Sequence, residues 1–108
     1  MTQWLHDAES KPSAALLAEA LVHCYDGEQV QFLVSPGRGG AVVQRLRVAL
    51  SRSRQRNLRR GVPNNEFTLH HSIYPYALDG KRHDCIVLWT KKHRHHRIRE
   101  ILDDTLRG

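Results

Sequence analysis

Eight arginines stand between Gly37 and Gly61, in the stretch GRGGAVVQRLRVALSRSRQRNLRRG, with no aspartate or glutamate among them. A guanidinium is a planar fork of N–H donors. It matches phosphate or carboxylate oxygens two at a time and also stacks on bases. Cations spaced three or four residues apart on one helix repel by about 0.2–0.5 kcal/mol per pair. Something anionic must therefore lie opposite, either the acidic first and last helices of the chain or a phosphate backbone. Arg38, Arg45, Arg47, Arg52, Arg54, Arg56, Arg59 and Arg60 are the first candidates for nucleic-acid contact. A second basic block, KKHRHHRIR, adds Lys91, Lys92, Arg94 and Arg97. Such contacts position a protein on nucleic acid without reading sequence. On a helical wheel Arg45, Arg52, Arg56 and Arg59 would track one backbone, while Arg47 and Arg54 grip across a groove or read base edges.

The glycine loop SPGRGG precedes the first block. It brings backbone amides and Arg38 to the positive end of a helix, where an anion is favoured. GRGG fits neither the P-loop pattern nor the dinucleotide fingerprint, and a tight turn into a helix is an equal reading of it.

The net charge is +6 and the computed pI about 9.9. Residues 1–28 sum to −4, 29–60 to +8, 61–80 to −2, 81–99 to +6 and 100–108 to −2. A device for solubility alone would scatter its charges. Blocks of one sign point to a polyanionic partner, DNA or RNA. A different class fits the same charges: an accessory or inhibitor protein of the phage or mobile-element type, docking its basic face on an acidic protein partner.

Histidine is abundant, with eight residues. His93, His95 and His96 lie among lysines and arginines that repel a cation, with no carboxylate or cysteine at ligand spacing, so they read as a basic linker. No metal, cofactor or catalytic residue is assigned. His71 shares its face with Leu69 and Ile73 and reads as a core histidine. Tyr74, Tyr76 and Trp89 could stack on single-stranded bases, although core or dimer contacts explain them more simply. His70 or His71 on a first strand, Asp84 on a second, and His95 or His96 entering a helix superficially resemble the ββα-metal nucleases. That resemblance spans residues 66–107 and rests on element order. It implies a strand histidine as general base and a helix-borne metal ligand, and the distinctive asparagine of the family's final helix is missing here.

Cys24 and Cys85 each lie in an apolar run without CxxC spacing, which predicts two reduced core thiols and a reducing cytosol. The stretch MTQWLHDAES lacks the basic start and apolar core of a signal peptide, and no apolar run is long enough to cross a bilayer. A cytoplasmic protein with no membrane contact is expected.

The elements that must position these residues follow from periodicity. Residues 1–10 read as a loose arm held by Trp4 and Leu5, and 11–108 as a single α/β (α+β) domain. KPSAALLAEALVHCYDG predicts a helix with Ser13 as cap and Asp26-Gly27 as stop. EQVQFLVS predicts a strand burying Val30, Phe32 and Val34. A second helix runs from about Gly40 to Asn57 or Arg60, with Val42, Leu46, Ala49, Leu50 and Ser53 inward. EFTLHHSIYPYALDGKRHDCIVLWTKK predicts a hairpin about a type I′ turn at Asp79-Gly80, with Pro75 at an edge. HHRIREILDDTLRG predicts a final helix with Ile98, Ile101, Leu102 and Thr105 inward. The order α-β-α-β-β-α implies a small mixed three-stranded sheet with helices packed on it. Both faces of the hairpin carry apolar residues, leaving one for the helices and the other for a second copy of the chain, as a homodimer.

Overall fold

The structure, a computed structural model, describes residues 2–61, 67–90 and 103–104. Its elements are β1 (Thr2–Trp4), α1 (Ser13–Tyr25), β2 (Gln29–Val34), α2 (Gly39–Arg59), β3 (Leu69–Leu78) and β4 (Lys81–Thr90), with a 3-10 turn at Ala8–Ser10. The class is mixed α+β, as expected. The sheet, however, has four strands in the order β1-β2-β4-β3 rather than three. The extra strand comes from the segment read as a loose arm. Thr2, Gln3 and Trp4 pair in parallel with Gln29, Val30 and Gln31, and Leu5 follows them into the core. Three residues are too few to display an alternation, so β1 leaves no strand signature in the sequence.

β2 and β3 both run antiparallel to β4. The strand–helix–strand unit therefore has parallel strands, but the return strand of the hairpin is inserted between them. β4 takes the centre with CIVLW, while β3 takes an edge, where Pro75 has no ladder hydrogen bond to forgo. The hairpin register is the expected one: Leu78 opposite Lys81, Ile73 opposite Ile86, His71 opposite Leu88 and His70 opposite Trp89. Positive φ angles at Asp79 (51°) and Gly80 (73°) form the type I′ turn that pins it.

Both helices cover one face of the sheet. Val30, Phe32 and Val34 of β2 and Ile86 and Leu88 of β4 are buried beneath Leu16, Leu17 and Leu21 of α1 and Val42, Leu46 and Leu50 of α2. Each such side chain contributes about 1.5–3 kcal/mol by leaving water. Ser13 is the first residue of α1 rather than its cap; Pro12 precedes it, and no side chain caps the helix. Cys24 and Cys85 are buried free thiols, and burial pushes the Cys24 thiol up to about 12. The final helix expected over 95–108 lies largely outside the described residues, which retain helical backbone at Asp103 and Asp104.

The start of α2 presses closely on the hairpin. The Gly39 amide donates to Asp84 Oδ2 at 3.0 Å. A Cβ on Gly39 would lie 2.7 Å from Ile73 Cγ2 and 3.0 Å from that carboxylate oxygen, whereas one on Gly40 meets nothing within 4 Å. Ile73 is β-branched and has little rotamer freedom with which to yield. Gly39→Ala is expected to destabilise by about 1–3 kcal/mol, and Gly40→Ala to stabilise by about 0.4–1 kcal/mol. Denaturant midpoints check the pair, and shifts of equal sign would refute the close approach.

Candidate nucleic-acid interface

The arginines of α2 divide into two groups according to what the fold does with them. On the flank facing β3, Arg47 Nη2 donates to the Leu69 carbonyl at 3.2 Å and lies 2.6 Å from His71 Nδ1. Burial, and then the Arg47 charge, hold His71 below the ordinary histidine range, so the neutral ring accepts from the guanidinium. Two turns further along the helix, Arg54 Nη2 donates to the Phe67 carbonyl at 2.6 Å, with its guanidinium 5.1 Å from the Phe67 ring centroid. Both side chains fasten the helix to the start of β3. The helical wheel alone offers them to a groove or to base edges.

A second pair is tied by a carboxylate. Asp104 is buried and accepts from Ser53 Oγ at 2.7 Å, from Arg56 Nε and Nη2 at 3.0 and 2.7 Å, and from Arg60 Nη2 at 2.7 Å. Burial alone would raise this carboxyl. The hydrogen bonds from Arg56, Ser53 and Arg60 outweigh it and hold Asp104 well below the usual carboxylate range. Of the two anions considered for the arginine helix, the chain's own last acidic segment therefore reaches Arg56 and Arg60. Asp104 itself does not stand out from the sequence. Its signal is the Asp-Asp pair within the predicted final helix.

What is left is a row. Arg38, Arg45, Arg52 and Arg59 recur at intervals of seven residues. Seven residues make two helical turns with a drift of only about 20°, so the row runs nearly parallel to the helix axis with a step of about 10.5 Å. All four are exposed, and among the described residues none has a carboxylate partner. Beside the row lies an open groove of about 520 Å3 between Ser13 and Ala14 of α1 and the flank of α2, lined there by Arg45, Val48, Ala49, Arg52 and Arg56. Lys91, Lys92, Arg94 and Arg97, the candidates of the second block, lie outside the described residues.

No protein-family model, curated protein or solved structure matches this chain. The site's own geometry carries the functional reading.

The glycine loop does not offer the anion cradle that its sequence suggested. Asp84 takes the Gly39 amide, and Glu9 accepts from both the amide and the hydroxyl of Ser35, at 3.1 and 3.0 Å. Two carboxylates thus occupy the donors of Ser35 and Gly39 at either end of the loop, so that its backbone amides do not cradle a phosphate and only the exposed Arg38 side chain is left to meet one. Of the nuclease-like constellation, the described residues include His70, His71 and Asp84, while His95 and His96 lie outside them. His71 sits opposite Leu88 and Asp84 opposite Pro75, four residues apart along the sheet, or about 13 Å. His70 points to the other face, where it stacks on Trp89 with ring centroids 5.6 Å apart. Among the described residues no group of three His, Cys, Asp or Glu side chains is placed to ligate a metal.

Proposed function

We propose that this protein binds nucleic acid, DNA or RNA, holding the phosphate backbone with the outer arginine row of α2, Arg45, Arg52 and Arg59, with Arg38 at its start. One observation carries the reading: the fold ties down four of its eight clustered arginines and leaves the other four aligned, exposed and without a carboxylate partner among the described residues. Four exposed cations in line, with no carboxylate beside them among the described residues, set up a positive potential that attracts a polyanion. Arg56, which also lines the groove, is held by Asp104 and serves the fold. Lys91, Lys92, Arg94 and Arg97 join as further phosphate contacts, and the two free thiols suit a reducing cytoplasm.

Affinity against salt tests the reading. The four contacts of the row by themselves contribute about −2.8 on a single strand and about −3.6 on a duplex to the slope of log K on log salt. Each alanine substitution in the row, Arg45→Ala, Arg52→Ala or Arg59→Ala, is expected to make the slope shallower by about 0.7–0.9. Slopes that stay at the parent value in all three variants would overturn the assignment. No retardation of duplex DNA, single-stranded DNA or RNA at low salt would reassign the row to an acidic protein partner.

A further inference from the structure

The sheet has a second face, on which neither α1 nor α2 packs. Alternation from the buried Val30, Phe32, Ile86 and Leu88 puts Gln31 and Leu33 of β2, Cys85, Val87 and Trp89 of β4, and His70, Tyr74 and Tyr76 of β3 on the opposite side. Trp4 of β1 joins them through its pairing with Gln31. Tyr74 lies along the sheet instead of standing off it. The Tyr74 hydroxyl comes within 3.4 Å of Gln31 Oε1, although β4 separates the two strands and neighbouring strands are about 4.8 Å apart. Its ring therefore crosses over Cys85, which has no exposed surface, while Tyr74 itself remains 39% exposed. Tyr76 on one edge strand and Trp4 on the other meet edge to face, with centroids 5.8 Å apart and planes at 63°. Trp4 is 40% exposed. An aromatic pavement with its outer surface open to water is costly to maintain without a partner.

Charge narrows down what that partner is. None of the described strand residues on this face is acidic, although the chain has 11 acidic residues. The cation Lys81 stands on it, with the imidazoles of His70 and His83. Asp7, at the rim of a concavity of about 340 Å3 that runs between Trp4, Leu33, Tyr76 and Leu78, marks its border. Exposed rings on a surface without carboxylates are what unpaired bases stack on, with the phosphates turned outward. A duplex hides its base faces and gains nothing from such a surface.

We infer that the sheet face opposite α1 and α2 is a stacking platform for single-stranded nucleic acid, with Tyr74, Tyr76, Trp4 and the His70–Trp89 pair as its base contacts. This surface is separate from the arginine row, and either can fail without the other.

The chain's two tryptophans, Trp4 and Trp89, both lie on this face, so intrinsic fluorescence reports on it alone. Titration with a 20-nucleotide oligo(dT) or oligo(U) is expected to quench tryptophan emission, with the same oligonucleotide carrying a 5′ dye to report total binding by anisotropy. The corresponding blunt duplex is expected to leave emission unchanged. Tyr74→Ala is expected to weaken single-strand binding by about tenfold, with the salt slope intact, whereas Arg52→Ala changes the slope and leaves the quench. Anisotropy that rises without any quench by either oligonucleotide would overturn the platform while leaving the arginine row standing. Sedimentation that shows a dimer broken by Tyr74→Ala would also overturn it, by assigning the face to a second copy of the chain. Wild-type quenching needs no substitution, so a variant that fails to fold leaves the test complete.

Discussion

Asp104→Asn is expected to lower the free energy of unfolding by about 2 kcal/mol, which for a domain of this size is a fall of about 8–16 °C in the unfolding midpoint. The substitution is nearly isosteric, so packing changes little and the loss is electrostatic. Asparagine keeps a partner for Ser53 and gives up the charge that Arg56 and Arg60 share. Those guanidiniums are 44% and 37% exposed. Water takes over part of their solvation, which is why the expected cost stays below that of breaking a fully buried pair. The pH dependence has a definite sign. The folded-state pKa of Asp104 is depressed, so the unfolded chain binds its proton more readily than the folded one. Its contribution is fully present above the unfolded value, about 3.9, and is lost as the pH falls through the ordinary carboxylate range toward the lower folded value. The gap between parent and variant should therefore hold at neutral pH and begin to narrow below about pH 4. Urea unfolding at pH 7, 5 and 3 measures it, and a constant gap, or none at neutral pH, would refute the anchoring role.

Which parts of this arrangement could be read in advance depends on the range of the interactions. The hairpin register was legible because Asp79-Gly80 fixes the turn, and every pairing outward from it follows by counting. The extent of α2 was legible because glycine-rich sequence brackets an unbroken apolar stripe. β1 was hidden because it is three residues long and is held by β2 rather than by its own pattern. Arg56 shows most clearly why the division of the arginines was not legible. On a helical wheel it belongs with Arg45 and Arg52, and nothing local separates it from them. Its partner lies 48 residues away. Likewise the SPGRGG loop has the composition of an anion site, and only the fold discloses that Asp84 and Glu9 already fill its donors.

That division makes the two sets of arginines separable by experiment. Reversing the outer row, as Arg45→Glu/Arg52→Glu/Arg59→Glu, is expected to weaken nucleic-acid binding at low salt on the order of 100-fold or more while leaving the fold intact. Side chains seven residues apart on a helix do not repel one another across its surface. The Arg52→Glu change sets a carboxylate four residues before Arg56, a favourable order that contributes about 0.2–0.5 kcal/mol. The Arg59→Glu change puts one in the last turn, where the helix dipole disfavours it by about 0.3–1 kcal/mol. These nearly cancel. The inner pair behaves oppositely. Arg56→Ala/Arg60→Ala removes the partners of a buried carboxylate and is expected to reduce stability by about 2–4 kcal/mol, with row-dependent binding retained at temperatures where the variant is folded. Thermal melts and anisotropy on the same two proteins decide the matter. Equal loss of stability in both would mean that the outer row serves the fold, and undiminished binding by the triple glutamate variant would remove α2 from the interface altogether.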